Sequence, residues 1–193
     1  MKSGQIKGAA FFIKRLFSTR LEKINILAVD LNEQLGMTRE EKFMLEAIKL
    51  SEHGMQNNEG GPFGCVVVLN DVIIGRGNNK VTSTNDPTAH AEVCAIRDAC
   101  KNIGSYQLSD CEIYTSCEPC PMCLGAIYWA RPKAVYYANN RSDAAEINFD
   151  DSMIYEEMSA PINERKIPLI PLSRDKALTV FKKWQEKQDK TAY

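Results

Sequence analysis

Two short fragments hold the residues whose types and spacing could do chemistry. His90-Ala91-Glu92 sets an imidazole and a carboxylate two positions apart, and Pro119-Cys120-Pro121-Met122-Cys123 sets two thiols three positions apart. A Cys-x-x-Cys at a helix N-terminus puts both sulfurs on one turn, where the amide dipoles favour thiolates. Two thiolates and one imidazole nitrogen are a donor set that a borderline-soft ion such as Zn²⁺ takes. Three protein ligands leave the fourth tetrahedral position for water, whose pKa the ion lowers toward about 7. Glu92 lies in the same first turn as His90, within reach of such a water without ligating the ion, which suits a proton shuttle.

Each fragment alone also fits a plainer role. Glu92 could be an acid favoured at a helix N-terminus, and a lone Cys-x-x-Cys could be a redox pair or a zinc knuckle. Together they match the H-x-E…P-C-x-x-C pattern of zinc nucleobase deaminases. The second histidine, His53, precedes Gly54 near the end of a predicted helix and reads as a helix-end residue rather than a ligand. Cys65, Cys94, Cys100, Cys111 and Cys117 read as buried small hydrophobes. A non-enzymatic alternative, a closed zinc site stapling an interaction domain, needs a fourth protein ligand, for which Cys117 is the nearby candidate.

The elements that must position these groups are visible in the patterning. Thr38-Arg39-Glu40-Glu41 is a capping box, and Phe43, Met44, Ala47, Ile48 and Leu50 give the helix behind it one apolar face. Residues 65–69 and 72–74, separated by Asn70-Asp71, predict a hairpin. Further strands are expected at 112–115, 134–138 and 167–172, and helices at 89–100, 122–130 and 176–187. The alternation predicts an α/β fold, a sheet flanked by helices, with the chemistry at strand-to-helix junctions.

Length, charge and cysteine usage narrow the class. The 193 residues and 21.7 kDa suit one domain. It is expected to start at about Met37, after a weakly ordered extension, residues 1–36, whose first twenty positions hold Lys2, Lys7, Lys14, Arg15 and Arg20 and no acid. A net charge of −1 offers no global field for gathering nucleic-acid phosphates. No apolar run is long enough to span a membrane or to serve as a signal-peptide core, so a cytoplasmic protein is expected. Seven cysteines, an odd number, argue against a disulfide framework.

The runs from Asn85 to Glu92 and from Thr115 to Ala130 closely resemble bacterial guanine deaminases of the cytidine-deaminase fold, as do the Gly60-Gly61-Pro62-Phe63-Gly64 turn, the Phe149-Asp150-Asp151-Ser152 segment and the terminal Tyr193. The resemblance implies a three-layer cytidine-deaminase-like fold with a five-stranded mixed sheet, and a homodimer whose exchanged C-terminal segments cover the partner's site. It implies one zinc per subunit held by His90, Cys120 and Cys123, with Glu92 as general acid/base. The purine would be bound through Asn79, Phe63 and Ala91, with Asp151 near its amide or exocyclic nitrogen and Tyr193 arriving from the partner. The implied reaction converts guanine and water to xanthine and ammonia. The alternatives are a tRNA adenosine deaminase, which calls for a basic surface this composition does not offer, and a deaminase of another aminated nucleobase or nucleoside. The basic residues between Arg174 and Lys190 are interleaved with Asp175, Glu186 and Asp189 and suit a solvated helix face.

Overall fold

The computed structural model describes residues 36–192; the expected extension, all but Gly36, and Tyr193 lie outside the described residues. Helix α1 (Arg39–Gln56) starts at the expected capping box: the Glu41 amide donates to Thr38 Oγ1 at 3.2 Å, and Glu41 Oε2 accepts the Thr38 amide at 2.6 Å. Strands β1 (Gly64–Leu69) and β2 (Val72–Asn78) form the predicted hairpin. Asn70 and Asp71 both take positive φ, 48° and 64°, as a two-residue turn matched to strand twist requires.

A single turn, α2 (Val81–Thr84), leads to α3 (Ala91–Ile103), and β3 (Glu112–Cys117) leads to α4 (Pro121–Ala130) and β4 (Ala134–Asn139). The sheet order is β2-β1-β3-β4, with β1 antiparallel to both neighbours and β3 parallel to β4. Two short helices come next, α5 (Arg141–Glu146) and α6 (Ser152–Ser159), then a 3₁₀ turn (Ile162–Glu164) and α7 (Arg174–Glu186).

Both faces of the central strands β1 and β3 are covered, so β1 reads as a continuous apolar run rather than an alternating one. Cys65 and Val67 pack with Ala91, Ala95, Ala99, Ile113 and Ile127 on the α3/α4 side. Val66 and Val68 pack with Ala47 and Tyr114 on the α1 side. Helix α3 lies very close to β2: a Cβ at Gly77 would fall 2.2 Å from the Ala91 carbonyl oxygen, and one at Gly75 2.5 Å from that of Ala95. Glycine on the strand and alanine on the helix therefore set where the first turn of α3 sits, and with it His90 and Glu92.

The fifth strand is a correction. Residues 167–172 form no strand, and the sheet has four among the described residues. Pro168 and Pro171 remove two amide donors from this segment. Its apolar side chains are exposed, Ile170 by 80% and Leu172 by 88%. Apolar character alone made the segment look like a strand, although none of the described residues buries it.

Candidate active site

The site forms where β2 and β3 end and α3 and α4 begin. His90 and Cys120 are the N-cap residues of α3 and α4, both in extended backbone, and neither side chain caps its own helix. Pro121 occupies the first turn of α4, where its missing N–H costs no hydrogen bond. Both side chains are therefore free to converge. His90 Nδ1 lies 3.5 Å from Cys120 Sγ and 3.4 Å from Cys123 Sγ, and the three donor atoms lie within 4.8 Å of one another.

These separations fit a zinc site. Zinc bonds of about 2.3 Å to sulfur and about 2.0–2.1 Å to nitrogen, at a tetrahedral angle, put nitrogen and sulfur about 3.6 Å apart. The three groups also act on one another's protons. The Cys120 thiol is lowered to about 4, first by the hydrogen bond from Cys123 and then, against burial, by His90. Cys123 is pushed well up by the same shared proton, and His90 is raised by its contact with the Cys120 sulfur. Cys117 is not part of this cluster: its thiol donates to the Asn140 carbonyl at 3.6 Å.

Glu92 is buried beside the donor set, and the Thr115 hydroxyl donates to its Oε1 at 3.0 Å. Burial pushes its carboxyl up from the usual carboxylate value, opposed by its own amide, Cys123 and Thr115. Ala91, between His90 and Glu92, is fully buried and backed by Gly77. Asn79, also buried, follows the end of β2. Its Oδ1 accepts from the Gly61 amide at 3.3 Å and the Val81 amide at 3.2 Å, so the donor end of the carboxamide is what remains for a ligand.

A cavity of about 430 Å³ brings Phe63, Asn79, His90, Glu92, Cys120 and Asp151 around one space, within the range of small-molecule sites. Asp151 is the N-cap residue of α6; burial, then the Cys120 sulfur, raises its carboxyl. His53 stands apart, exposed in the last turn of α1 beside Asn57. Phe149 and Arg141 also line the cavity, and the sequence assigns neither of them a role. Phe149 meets Phe63 edge to face, with ring centroids 4.9 Å apart. The Arg141 guanidinium stacks 5.0 Å over the Tyr155 ring, and its amide donates to Glu118 Oε2 at 3.1 Å. One signal for this region was present: Asn140 and Asp143 form a capping box that starts α5 and so orients Arg141.

Residues 37–139 match the family described as the cytidine and deoxycytidylate deaminase zinc-binding region. The chain belongs to that deaminase family. The deaminase is 55% identical to guanine deaminase of Bacillus subtilis (strain 168) over 153 residues, which is 79% of this chain and 98% of that protein. The X-ray structure of guanine deaminase from Bacillus subtilis superposes on it with a TM-score of 0.77, at 55% identity and the same coverage of both chains. A tRNA-specific adenosine deaminase of Buchnera aphidicola subsp. Schizaphis graminum is 39% identical over 105 residues, 54% of this chain and 69% of that protein. The deaminase is thus a guanine deaminase homologue in a zinc-binding family, with a donor set that fits the ion. Among its described residues no helix is long and apolar enough to cross a membrane.

Proposed function

We propose that the protein deaminates guanine hydrolytically, giving xanthine and ammonia. The observation that carries this reading is the extent of the guanine deaminase match. It runs over 98% of that relative, whereas the tRNA adenosine deaminase match spans 105 residues. Phe149 and Asp151, which line the cavity, lie beyond the family region of residues 37–139.

In this reading His90, Cys120 and Cys123 hold one zinc per subunit. The ion, when bound, makes water a nucleophile at neutral pH by lowering its pKa toward about 7. Glu92 takes a proton from the attacking water and gives it to the ring nitrogen next to C2, which weakens the amidine bond. The water oxygen bonds to C2, a second proton passes through Glu92 to the exocyclic nitrogen, the C2–N bond breaks and ammonia leaves. Asn79 donates to an acceptor on the purine and Phe63 packs on its ring. Asp151 reads the amide or exocyclic edge, and the Ala91 backbone borders the site.

The domain spans residues 37–193. Two copies pair with exchanged C-terminal segments, so that Tyr193 closes the partner's cavity. Support comes from the apolar surface this chain leaves open: α7 buries none of its residues, while Val180, Phe181 and Trp184 are exposed, as are Ile167 and Leu169. The physiological setting is purine breakdown or salvage in the cytoplasm.

The test is ammonia release by zinc-loaded protein from guanine, guanosine, cytosine, adenine and an adenosine-containing anticodon stem-loop, with Glu92→Ala as control. Guanine-selective, Glu92-dependent release is expected. Turnover of the stem-loop without turnover of guanine would overturn the reading in favour of tRNA editing.

A further inference from the structure

Thr115 lies on a face of β3 that is otherwise apolar. Ile113 precedes it on that face and Cys117 comes after it, and across the sheet it pairs with Cys65 of β1, beside Val67; all of these are buried. Thr115 itself is 1% exposed. Valine has the same branched shape and would fill this position without a hydroxyl to satisfy. A hydroxyl placed there is costly unless it is hydrogen-bonded. Its bond goes to Glu92 Oε1, at 3.0 Å.

We propose that Thr115 is a positioning residue that fixes which oxygen of Glu92 moves the protons. This rests on the reading of Glu92 as the proton carrier of a deaminase. The terminal torsion of a glutamate is broad and roughly two-fold, so burial alone does not select one oxygen. The Glu92 amide and Cys123 also bear on this carboxyl, and with Oε1 accepting from the Thr115 hydroxyl, Oε2 is the oxygen assigned to take a proton from water and to return it to the substrate. A proton carried on Oε2 leaves Oε1 a carbonyl-type acceptor, so the Thr115 bond persists in both protonation states. The shuttle then loads and unloads at one atom without turning the side chain between the two transfers. Preorganisation of this kind lowers the barrier to the chemical steps and leaves substrate binding unchanged.

The experiment compares Thr115→Val and Thr115→Ser with wild type by zinc content, steady-state kinetics on guanine and crystal structures of the zinc-loaded proteins. Thr115→Val is expected to fold, to keep its zinc and a wild-type KM, and to lose kcat roughly ten- to a hundredfold, the scale of one hydrogen bond to a charged group. Thr115→Ser, which restores the hydroxyl, is expected to recover most of that loss. In the Thr115→Val crystal the Glu92 carboxyl is expected to be rotated or split between two orientations. Full kcat in Thr115→Val, a serine variant no better than the valine one, or an unmoved Glu92 carboxyl would each overturn the proposal. If wild type itself fails to turn over guanine, the functional reading falls, while the crystallographic comparison still decides whether Thr115 orients Glu92.

Discussion

The backbone of Gly60 rests directly against the side chain of Asn79: a methyl group at Gly60 would lie 2.2 Å from Asn79 Oδ1 and 2.5 Å from the Asn79 carbonyl oxygen. The same carboxamide oxygen accepts the Gly61 amide, so the Gly60-Gly61 turn both crowds and anchors a side chain whose donor end is the part left for a ligand.

Gly60→Ala should therefore weaken substrate binding more than it slows chemistry. Overpacking of this kind costs about 1–3 kcal/mol, so KM for guanine is expected to rise roughly tenfold or more with zinc content unchanged. Steady-state kinetics with metal analysis checks this, and an unchanged KM counts against an orienting role for the turn.

Removing the proposed proton carrier and removing a proposed donor of the ion should look different. Glu92→Gln keeps the size and leaves His90, Cys120 and Cys123 in place, so zinc content is expected to stay near wild type while kcat falls by about 10²–10⁴-fold. Cys120→Ala takes away one of the three converging donors and is expected to lose both zinc and turnover. Metal analysis of the two purified variants separates the roles.

Phe149 reaches the cavity from the segment between α5 and α6 and leans on Phe63, with Gly61 beneath it; a Cβ at Gly61 would fall 2.8 Å from Phe149 Cζ. Phe149→Ala removes an edge-to-face pair of about 0.5–1.5 kcal/mol together with one cavity wall. Weaker guanine binding is expected, read as a KM rise of severalfold, with a smaller change in melting temperature than Phe63→Ala.

Away from the site, Arg39 ties the start of α1 to the sheet. Its Nη1 lies 2.7 Å from Glu112 Oε2, which also accepts from Tyr114 at 3.1 Å, and Arg39 pairs with Asp71 in the hairpin turn. The Arg39 hydrogen bond is the main reason the Glu112 carboxyl is held below its usual range, with Tyr114 and Lys133 adding to it. A depressed carboxylate contributes stability that is present above its unfolded value, about 4.5, and is lost as pH falls through the folded value. Melting temperature should drop as pH falls below about 5, and Glu112→Gln should start lower and lose less on that descent. Equal slopes for the two proteins would rule this pair out as an acid-sensitive contact.

The convergence of His90, Cys120 and Cys123, the place of Glu92 beside them and the elements carrying them were legible because each rests on local chemistry. The Thr38 capping box, the Asn70-Asp71 turn and the prolines before and within the Cys-x-x-Cys segment each dictate a backbone, and the structure has those elements, with β2 running four residues past its expected end at residue 74. The tertiary arrangement was hidden. Helices α5 and α6 have no buried residues to give a hydrophobic period, so neither was expected, although Asn140 and Asp143 supplied a cap. Arg141 and Phe149 reach the cavity only through the path of that segment, which no spacing rule encodes. The apolar run 167–172 was misread for the converse reason: a strand needs a neighbour to bond to, and side-chain hydrophobicity does not state whether one exists.

Helix α7 finds no core among the described residues. Its 13 residues bury nothing, and an isolated helix of that length is marginal in water. Its order then depends on whatever covers Val180, Phe181 and Trp184, which in the dimeric reading is a second copy. In that reading α7 falls under mass action: amide exchange in α7 should slow as protein concentration rises, while exchange in β1 and β3, enclosed on both faces, should not.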